Sequence, residues 1–300
     1  MDDSANPRVL VVGGTGMLGH KIWQLFRDRF ETWVTVRSAR KHPAAELFTG
    51  PRILEDVRAD DFNSVIRACA LARPGVIVNC VGIVKQLKAA SDPIPSIAIN
   101  ALFPHRLAAH GLSIGARVIH ISTDCVFSGA RGQYRETDPP DPVDLYGRTK
   151  LLGEITGPGS LTLRTSIVGR ELSATTGLVE WFLSHRGGRV SGYTRAFFSG
   201  LTTQALAGLV GSVIERHPAL EGLYHVASQP ISKYDLLCQL NEAYGAGVEV
   251  EPSEALRIDR TLDASSFVEA TGLAIGSWPV MIAGMAADPT PYEEWRHARV

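Results

Sequence analysis

Two short patterns in this 300-residue chain carry residue types that can move a proton and hold a phosphate. The first is Tyr146-Gly147-Arg148-Thr149-Lys150, a Tyr-x-x-x-Lys spacing. On a helix, positions i and i+4 share a face, so the ammonium would sit one turn from the phenol. A cation there favours the phenolate and predicts a Tyr146 whose proton is exchangeable near neutrality. Such a phenol can protonate a carbonyl oxygen while a cofactor delivers hydride. Ser122-Thr123-Asp124 lies upstream, just past an expected strand end, and offers a hydroxyl to the same oxygen. Alone, Tyr-x-x-x-Lys is common on solvated helices. The second pattern gives it meaning.

Gly13-Gly14-Thr15-Gly16-Met17-Leu18-Gly19 has the spacing G-x-x-G-x-x-G. It directly follows the apolar run Arg8–Val12 and opens a helical stretch at His20–Arg29. A strand–glycine–helix junction lets backbone N–H groups approach a pyrophosphate, whose charge the helix N-terminus stabilises. A plain turn is the competing reading, and the context favours a dinucleotide site built from Gly13, Thr15, Gly16, Met17, Leu18 and Gly19. The next strand ends in Val36-Arg37-Ser38-Ala39-Arg40-Lys41, without the carboxylate that would grip a ribose 2′-OH. Its cations suit a 2′-phosphate, which favours NADP(H) over NAD(H) with Arg37 and Arg40 as contacts. A solvated basic loop is the alternative. Asp56 and Val57 stand where a contact to the adenine edge is expected.

These groups need a scaffold. Expected strands at Arg8–Val12, Trp33–Val36, Val76–Val81, Arg117–Ser122 and Leu161–Arg164 alternate with helices at Asp61–Ala72, Ile97–His110 and Leu145–Ile155. That alternation predicts an α/β fold, a Rossmann-type doubly wound parallel sheet covered by helices on both faces. Past residue 169 the alternation weakens. Gly187–Gly192 reads as loop, a helix is expected over Thr202–Arg216, a strand over Leu223–Val226, and Ser232 caps a helix running to Tyr244. Residues 1–168 and about 197–230 are therefore assigned to the dinucleotide-binding domain. About 169–196 and 231–300 form a smaller α/β substrate-binding region. Lys and Arg number 30 against 31 Asp and Glu, so no general pull toward nucleic acid or an anionic membrane is expected. No apolar run approaches the roughly 18 residues of a membrane span. The polar start Met1–Asn6 is not a secretory signal, and four scattered cysteines suggest neither a metal site nor disulfides. A cytoplasmic protein is expected.

Taken together, Gly13-x-x-Gly16-x-x-Gly19, Asn79-Cys80-Val81-Gly82, Ser122-Thr123-Asp124 and Tyr146-x-x-x-Lys150 resemble the extended short-chain dehydrogenase/reductase family. The resemblance covers most of residues 8–230. Within that family the chain is most similar to the sugar-nucleotide reductases of the dTDP-4-dehydrorhamnose reductase group, through Ser122–Gly129, Tyr134-Arg135-Glu136-Thr137, Gly153-Glu154 and Leu163-Arg164-Thr165-Ser166. The resemblance implies NADPH-dependent reduction of a 4-keto group on a nucleotide-linked deoxy sugar, as in biosynthesis of dTDP-L-rhamnose or a related polysaccharide sugar. It implies that Thr123 holds the carbonyl oxygen, Tyr146 protonates it, and Lys150 binds the nicotinamide ribose and tunes Tyr146. Cys80, Val81, Gly82 and Asn100 would contact or support the cofactor. Lys85, Asp124, Cys125 and Phe127 would face the sugar nucleotide, and a homodimer is compatible with the family. Cys125 departs from the usual Tyr, and Lys85 lies in a segment that departs from the usual Asn-Ala-Ala-Ala-Tyr-Thr form. A dehydratase is disfavoured because Cys125 replaces the glutamate of its Thr-Asp-Glu pattern, and a 4-epimerase by the basic Arg37 loop. Some reductase-like proteins are instead non-catalytic, NADP-binding regulatory subunits, such as the partner of methionine adenosyltransferase.

Overall fold

The computed structural model describes residues 7–40, 42–85, 91–173 and 176–297. Lys41 and the start Met1–Asn6, both singled out above, lie outside them. The first half alternates as its hydrophobic runs dictate: β1 (Arg8–Val12), α1 (Met17–Phe26), β2 (Glu31–Thr35), β3 (Ile53–Leu54), α2 (Phe62–Ala72), β4 (Val76–Asn79), α3 (Pro93–Ser96), α4 (Phe103–Ser113), β5 (Arg117–Thr123), α5 (Leu145–Leu152) and β6 (Ser160–Thr165). The second half carries β7 (Ile167–Val168), α6 (Leu178–Leu183), β8 (Arg189–Phe198), β9 (Leu201–Thr202), α7 (Thr203–Arg216), β10 (Gly222–His225), β11 (Ile231–Ser232), α8 (Lys233–Tyr244), β12 (Glu249–Asp259), α9 (Ser265–Thr271), α10 (Trp278–Ala286) and α11 (Tyr292–His297).

The main sheet has seven strands in the order β10-β6-β5-β4-β1-β2-β3, every neighbouring pair parallel. Its central strands are buried on both faces, as a doubly covered sheet requires. Chain order reverses between β1 and β4, and the crevice outside the strand C-termini at such a switch is where ligands bind in this architecture. Gly13, Cys80 and Thr123 all lie at that edge, at the ends of β1, β4 and β5.

Three regions differ from the sequence expectation. Gly187–Gly192 is not a loop throughout: β8 starts at Arg189 and lies between β11 and β12 in a second, three-stranded sheet. The expected helix over Ile97–His110 is real but interrupted, because a π-helical turn occupies Ile97–Leu102 ahead of α4. Such turns rotate the side chains that follow and recur at functional sites. The C-terminal segment, assigned to the substrate side, returns to the cofactor helix. Asp288 pairs with the buried Lys21 of α1, Thr290 accepts from Gln24 Nε2 at 2.9 Å, and the Tyr292 hydroxyl lies 2.9 Å from His20 Nε2. A buried lysine needs a carboxylate, and Asp288 provides it across the fold. The helix caps fall where short polar residues predict them. Thr202 accepts from Ala205 N–H at 3.3 Å, and Ser232 from Asp235 N–H at 3.0 Å.

Candidate active site

The glycine loop is built by backbone contact. Gly13 adopts φ +92, a region that favours glycine. A Cβ on Gly19 would collide with the Gly13 carbonyl oxygen. Gly16 is the N-cap of α1 with no side-chain cap, and the first turn holds no acidic residue. The amides opening α1 are thus left without a side-chain cap, the donor set a pyrophosphate fits. Leu18 could offer only backbone, since it is 5% exposed in the core, while Thr15 and Met17 are half-buried at the rim. Arg37 and Arg40 are exposed past the end of β2, and neither forms an ion pair with another described residue. Asp56 is exposed with φ +57, and Val57 N–H donates to the Val36 carbonyl at 3.3 Å, holding the two segments side by side.

Thr123 closes β5 at 6% exposure. Its Oγ1 accepts from Cys125 N–H at 3.1 Å and donates to Asp124 Oδ1 at 3.2 Å. Tyr146 comes from the first turn of α5, whose N-terminus Asp144 caps by accepting from Gly147 N–H at 2.8 Å. Gly147 lets that helix lie against the chain at Cys125, where a Cβ would strike the Cys125 carbonyl. Asn100, aimed by the π turn, accepts from Ile83 N–H at 2.8 Å and donates to Thr149 Oγ1 at 3.4 Å. It ties the segment after β4, with Val81 and Gly82, to α5. The structure thus brings Thr123, Tyr146, Lys150 and Asn100 together opposite the glycine loop.

One electrostatic expectation is corrected. Burial raises the Tyr146 phenol above its ordinary value, and the neighbouring Cys125 adds to the rise, while a hydrogen bond with Thr123 opposes it. Lys150 does not offset this, because its Nζ donates to the Ile121 carbonyl at 2.7 Å and lies 3.3 Å from His120 Nε2. Burial lowers Lys150 itself to about 8. Tyr146 is therefore a phenol that keeps its proton at neutral pH, the state a general acid needs.

Among the residues expected to face the substrate, Cys125 is half-buried and pushed up to about 12, chiefly by burial, so it stands as a thiol. The Asp124 carboxyl is raised by burial and pulled back by Arg260 and Lys233. Sequence reasoning missed both of these cations. Arg260 Nε donates to the Phe127 carbonyl at 3.0 Å, and its Nη1 lies 3.7 Å from Cys125 Sγ. Lys233 stands 3.5 Å over the Phe198 ring, and burial lowers it to about 8. Arg260 follows β12 and Lys233 opens α8, both remote in sequence from Thr123. Lys85 is exposed and paired with Asp144 at 2.8 Å, next to the N-terminus of α5. Phe127 does not face the cleft: its side chain is fully buried, stacked on Tyr134 at 4.2 Å and packed edge-on to His225. It has no surface to offer a substrate and instead anchors the strand end in a small apolar cluster. Among the described residues no group of His, Cys, Asp and Glu could hold a metal ion, and no helix is long and apolar enough to cross a membrane.

Comparison with known proteins bears on the family and the fold. The family model described as RmlD substrate binding domain matches residues 7–262. The bovine (Bos taurus) methionine adenosyltransferase 2 subunit beta is 27% identical over 266 residues, 84% of this chain and 75% of that protein. A dTDP-4-dehydrorhamnose reductase of Streptomyces griseus is 36% identical over 155 residues, 51% of this chain and 46% of that protein. Among solved structures, the Bacillus anthracis dTDP-4-dehydrorhamnose reductase in complex with NADP superposes with a TM-score of 0.76 at 20% identity, covering 93% of this chain and 98% of that one.

Proposed function

The chain belongs to the RmlD substrate-binding-domain family, and from that premise we propose that it is an NADPH-dependent reductase of a 4-keto group on a nucleotide-linked deoxy sugar. The observation that carries this reading is the convergence of Thr123, a protonated Tyr146 and Lys150 at the sheet edge facing the glycine loop. NADP(H) would lie with its pyrophosphate on the amides that open α1, its 2′-phosphate near Arg37 and Arg40, its adenine near Asp56 and Val57, and its nicotinamide half along Cys80, Val81 and Gly82. When bound it supplies the hydride. Thr123 Oγ1 holds the carbonyl oxygen and polarises it. Tyr146 gives that oxygen its proton, and Lys150, with Asn100 bracing α5, fixes the nicotinamide ribose. Asp124, Cys125 and Lys85, joined by Arg260 and Lys233, would contact the sugar nucleotide, with the three-stranded sheet forming the wall opposite the cofactor. Loss of NADPH absorbance on adding a dTDP-4-keto-6-deoxy sugar tests the reading, and turnover of any keto sugar nucleotide supports it.

A second reading is a non-catalytic regulatory subunit, which the similarity to methionine adenosyltransferase 2 subunit beta over 84% of the chain favours. Tight NADPH binding without oxidation in the presence of keto sugar nucleotides would decide for it. The presence of Thr123, Tyr146 and Lys150 in reacting order supports the enzyme.

A further inference from the structure

His120 is a buried titratable group that the reaction above leaves without a task. It sits on β5 with no exposed surface. Its Nδ1 lies 3.0 Å from Asn79 Nδ2, and its Nε2 lies 3.3 Å from Lys150 Nζ. Which ring nitrogen carries the proton follows from Asn79, itself 1% exposed at the end of β4. The Asn79 amide cannot be turned over: its Oδ1 accepts from Val81 N–H at 3.1 Å, and an N–H needs an oxygen opposite it. Asn79 Nδ2 must therefore donate to His120 Nδ1. A neutral imidazole that accepts at Nδ1 carries its proton on Nε2. His120 is neutral, since burial and the nearby Lys150 charge hold its proton affinity well below the usual range.

We propose that Asn79 and His120 are a positioning pair for Lys150: Asn79 locks His120 as the Nε2–H tautomer, which turns a hydrogen-bond donor toward Lys150 Nζ. A donor aimed at an amine meets the lone pair of the neutral form and conflicts with the ammonium. Among the other groups around Lys150, Glu154 pulls its proton affinity up without overcoming burial. Glu154, at the end of α5, is held bidentately by Arg164 at 2.8 and 2.7 Å and also accepts from Ser122 Oγ at 2.7 Å. Cys80, after β4, is pushed to about 12 by burial and stays a thiol. His105 of α4 faces His120 as a weak added positive influence, and the Tyr146 phenol one turn away is uncharged at neutral pH. Lys150 is therefore left with the Ile121 carbonyl as its one close acceptor among the described residues, and the His120 donor acts on it in the same direction as burial, which lowers its proton affinity. If Lys150 must be an ammonium to hold the nicotinamide ribose, the pair sets the alkaline limit of the reaction. This consequence rests on the reductase reading; the tautomer and its effect on Lys150 do not.

Nitrogen NMR of histidine-labelled full-length protein reads the tautomer without turnover, and the Cε shift of labelled lysine reads the Lys150 titration. The expected result is an unprotonated Nδ1 and a protonated Nε2 on His120 at neutral pH. Asn79→Asp presents a carboxylate that keeps the Val81 contact, accepts from Nδ1–H and flips the tautomer. Lys150 should then titrate higher by about one pH unit, a tenfold change in proton affinity, and the alkaline limb of kcat/KM should move up with it. His120→Phe, which removes the donor, should move Lys150 in the same direction. A wild-type His120 protonated at Nδ1, or a Lys150 titration unchanged in both variants, overturns the proposal. Absent turnover with the expected NMR result would instead sink the reductase reading and leave the positioning pair standing.

Discussion

The two sides of the cleft are made differently. The pyrophosphate end of the proposed cofactor site is made of backbone: the bend at Gly13 and the packing of Gly19 onto the Gly13 carbonyl leave a helix opening without a side-chain cap. The side proposed for the substrate is made of side chains that arrive from remote elements, Arg260 after β12 and Lys233 on α8, set around Asp124 and Cys125. Backbone construction tolerates almost no substitution, because the space is filled by main chain. Side-chain construction can be rewritten one residue at a time without disturbing the sheet. One scaffold can in this way keep a cofactor while changing what it reduces.

The largest expected effect breaks the substrate side. Tyr146→Phe keeps the ring and removes the proton, and should lower kcat by roughly 10²–10⁴-fold, the range of general acid catalysis, with NADPH affinity unchanged by titration calorimetry. Retained turnover would contradict the assignment.

Acid sensitivity should map to the cofactor side. His20 is fully buried in α1, with Nδ1 2.9 Å from the Gly16 carbonyl. Burial first, then the Lys21 charge, lowers it from 6.5 to about 3. As pH falls through 6.5 the unfolded chain takes up a proton that the folded chain refuses. The stabilisation present above pH 6.5 is therefore lost progressively down to about pH 3, on the order of 5 kcal/mol in all. Denaturant melts of the wild type and His20→Gln across that window should show a shallower pH slope in the variant.

Gly19→Ala sharpens the contrast. Its Cβ must displace backbone, so a cost of about 1–3 kcal/mol is expected, read as a lower Tm together with weaker NADPH binding. The smallest effect should be the most selective. Arg37→Ala should weaken NADPH by about tenfold, near 1.4 kcal/mol, and leave NADH unchanged. Equal loss for both coenzymes would remove Arg37 from the 2′-phosphate site.

The same contrast explains what could be read from the sequence. Gly13, Gly16 and Gly19 are legible because a backbone constraint leaves its mark in the residue type itself, and Tyr146 and Lys150 because helical spacing fixes their face. The parallel sheet was legible because strands buried on both sides read as unbroken apolar runs. Arg260 and Lys233 were not, since nothing local relates them to Thr123. β12 reads Glu-Val-Glu-Pro-Ser-Glu-Ala-Leu-Arg-Ile-Asp, where Pro252 and the polar run hide a strand that pairs on β8. Phe127 shows the opposite failure. It sits in a segment that resembles a substrate loop, yet its apolar ring found more to bury in the core than in the cleft. The influence of Lys150 on Tyr146 was misread because helical spacing says which groups are near, and nothing about the Ile121 carbonyl that accepts from Lys150 or the His120 ring beside it on β5.

The central claim is hydride delivery to the sugar at the edge where Tyr146 stands. Its most direct test is a turnover with NADPH deuterated at nicotinamide C4 on the transferred face, followed by mass spectrometry of the sugar product. The account predicts one deuterium on the former keto carbon in the wild type and none above background from Tyr146→Phe in the same time. Bound, intact deuterated NADPH beside an unlabelled keto sugar in the wild type would contradict it.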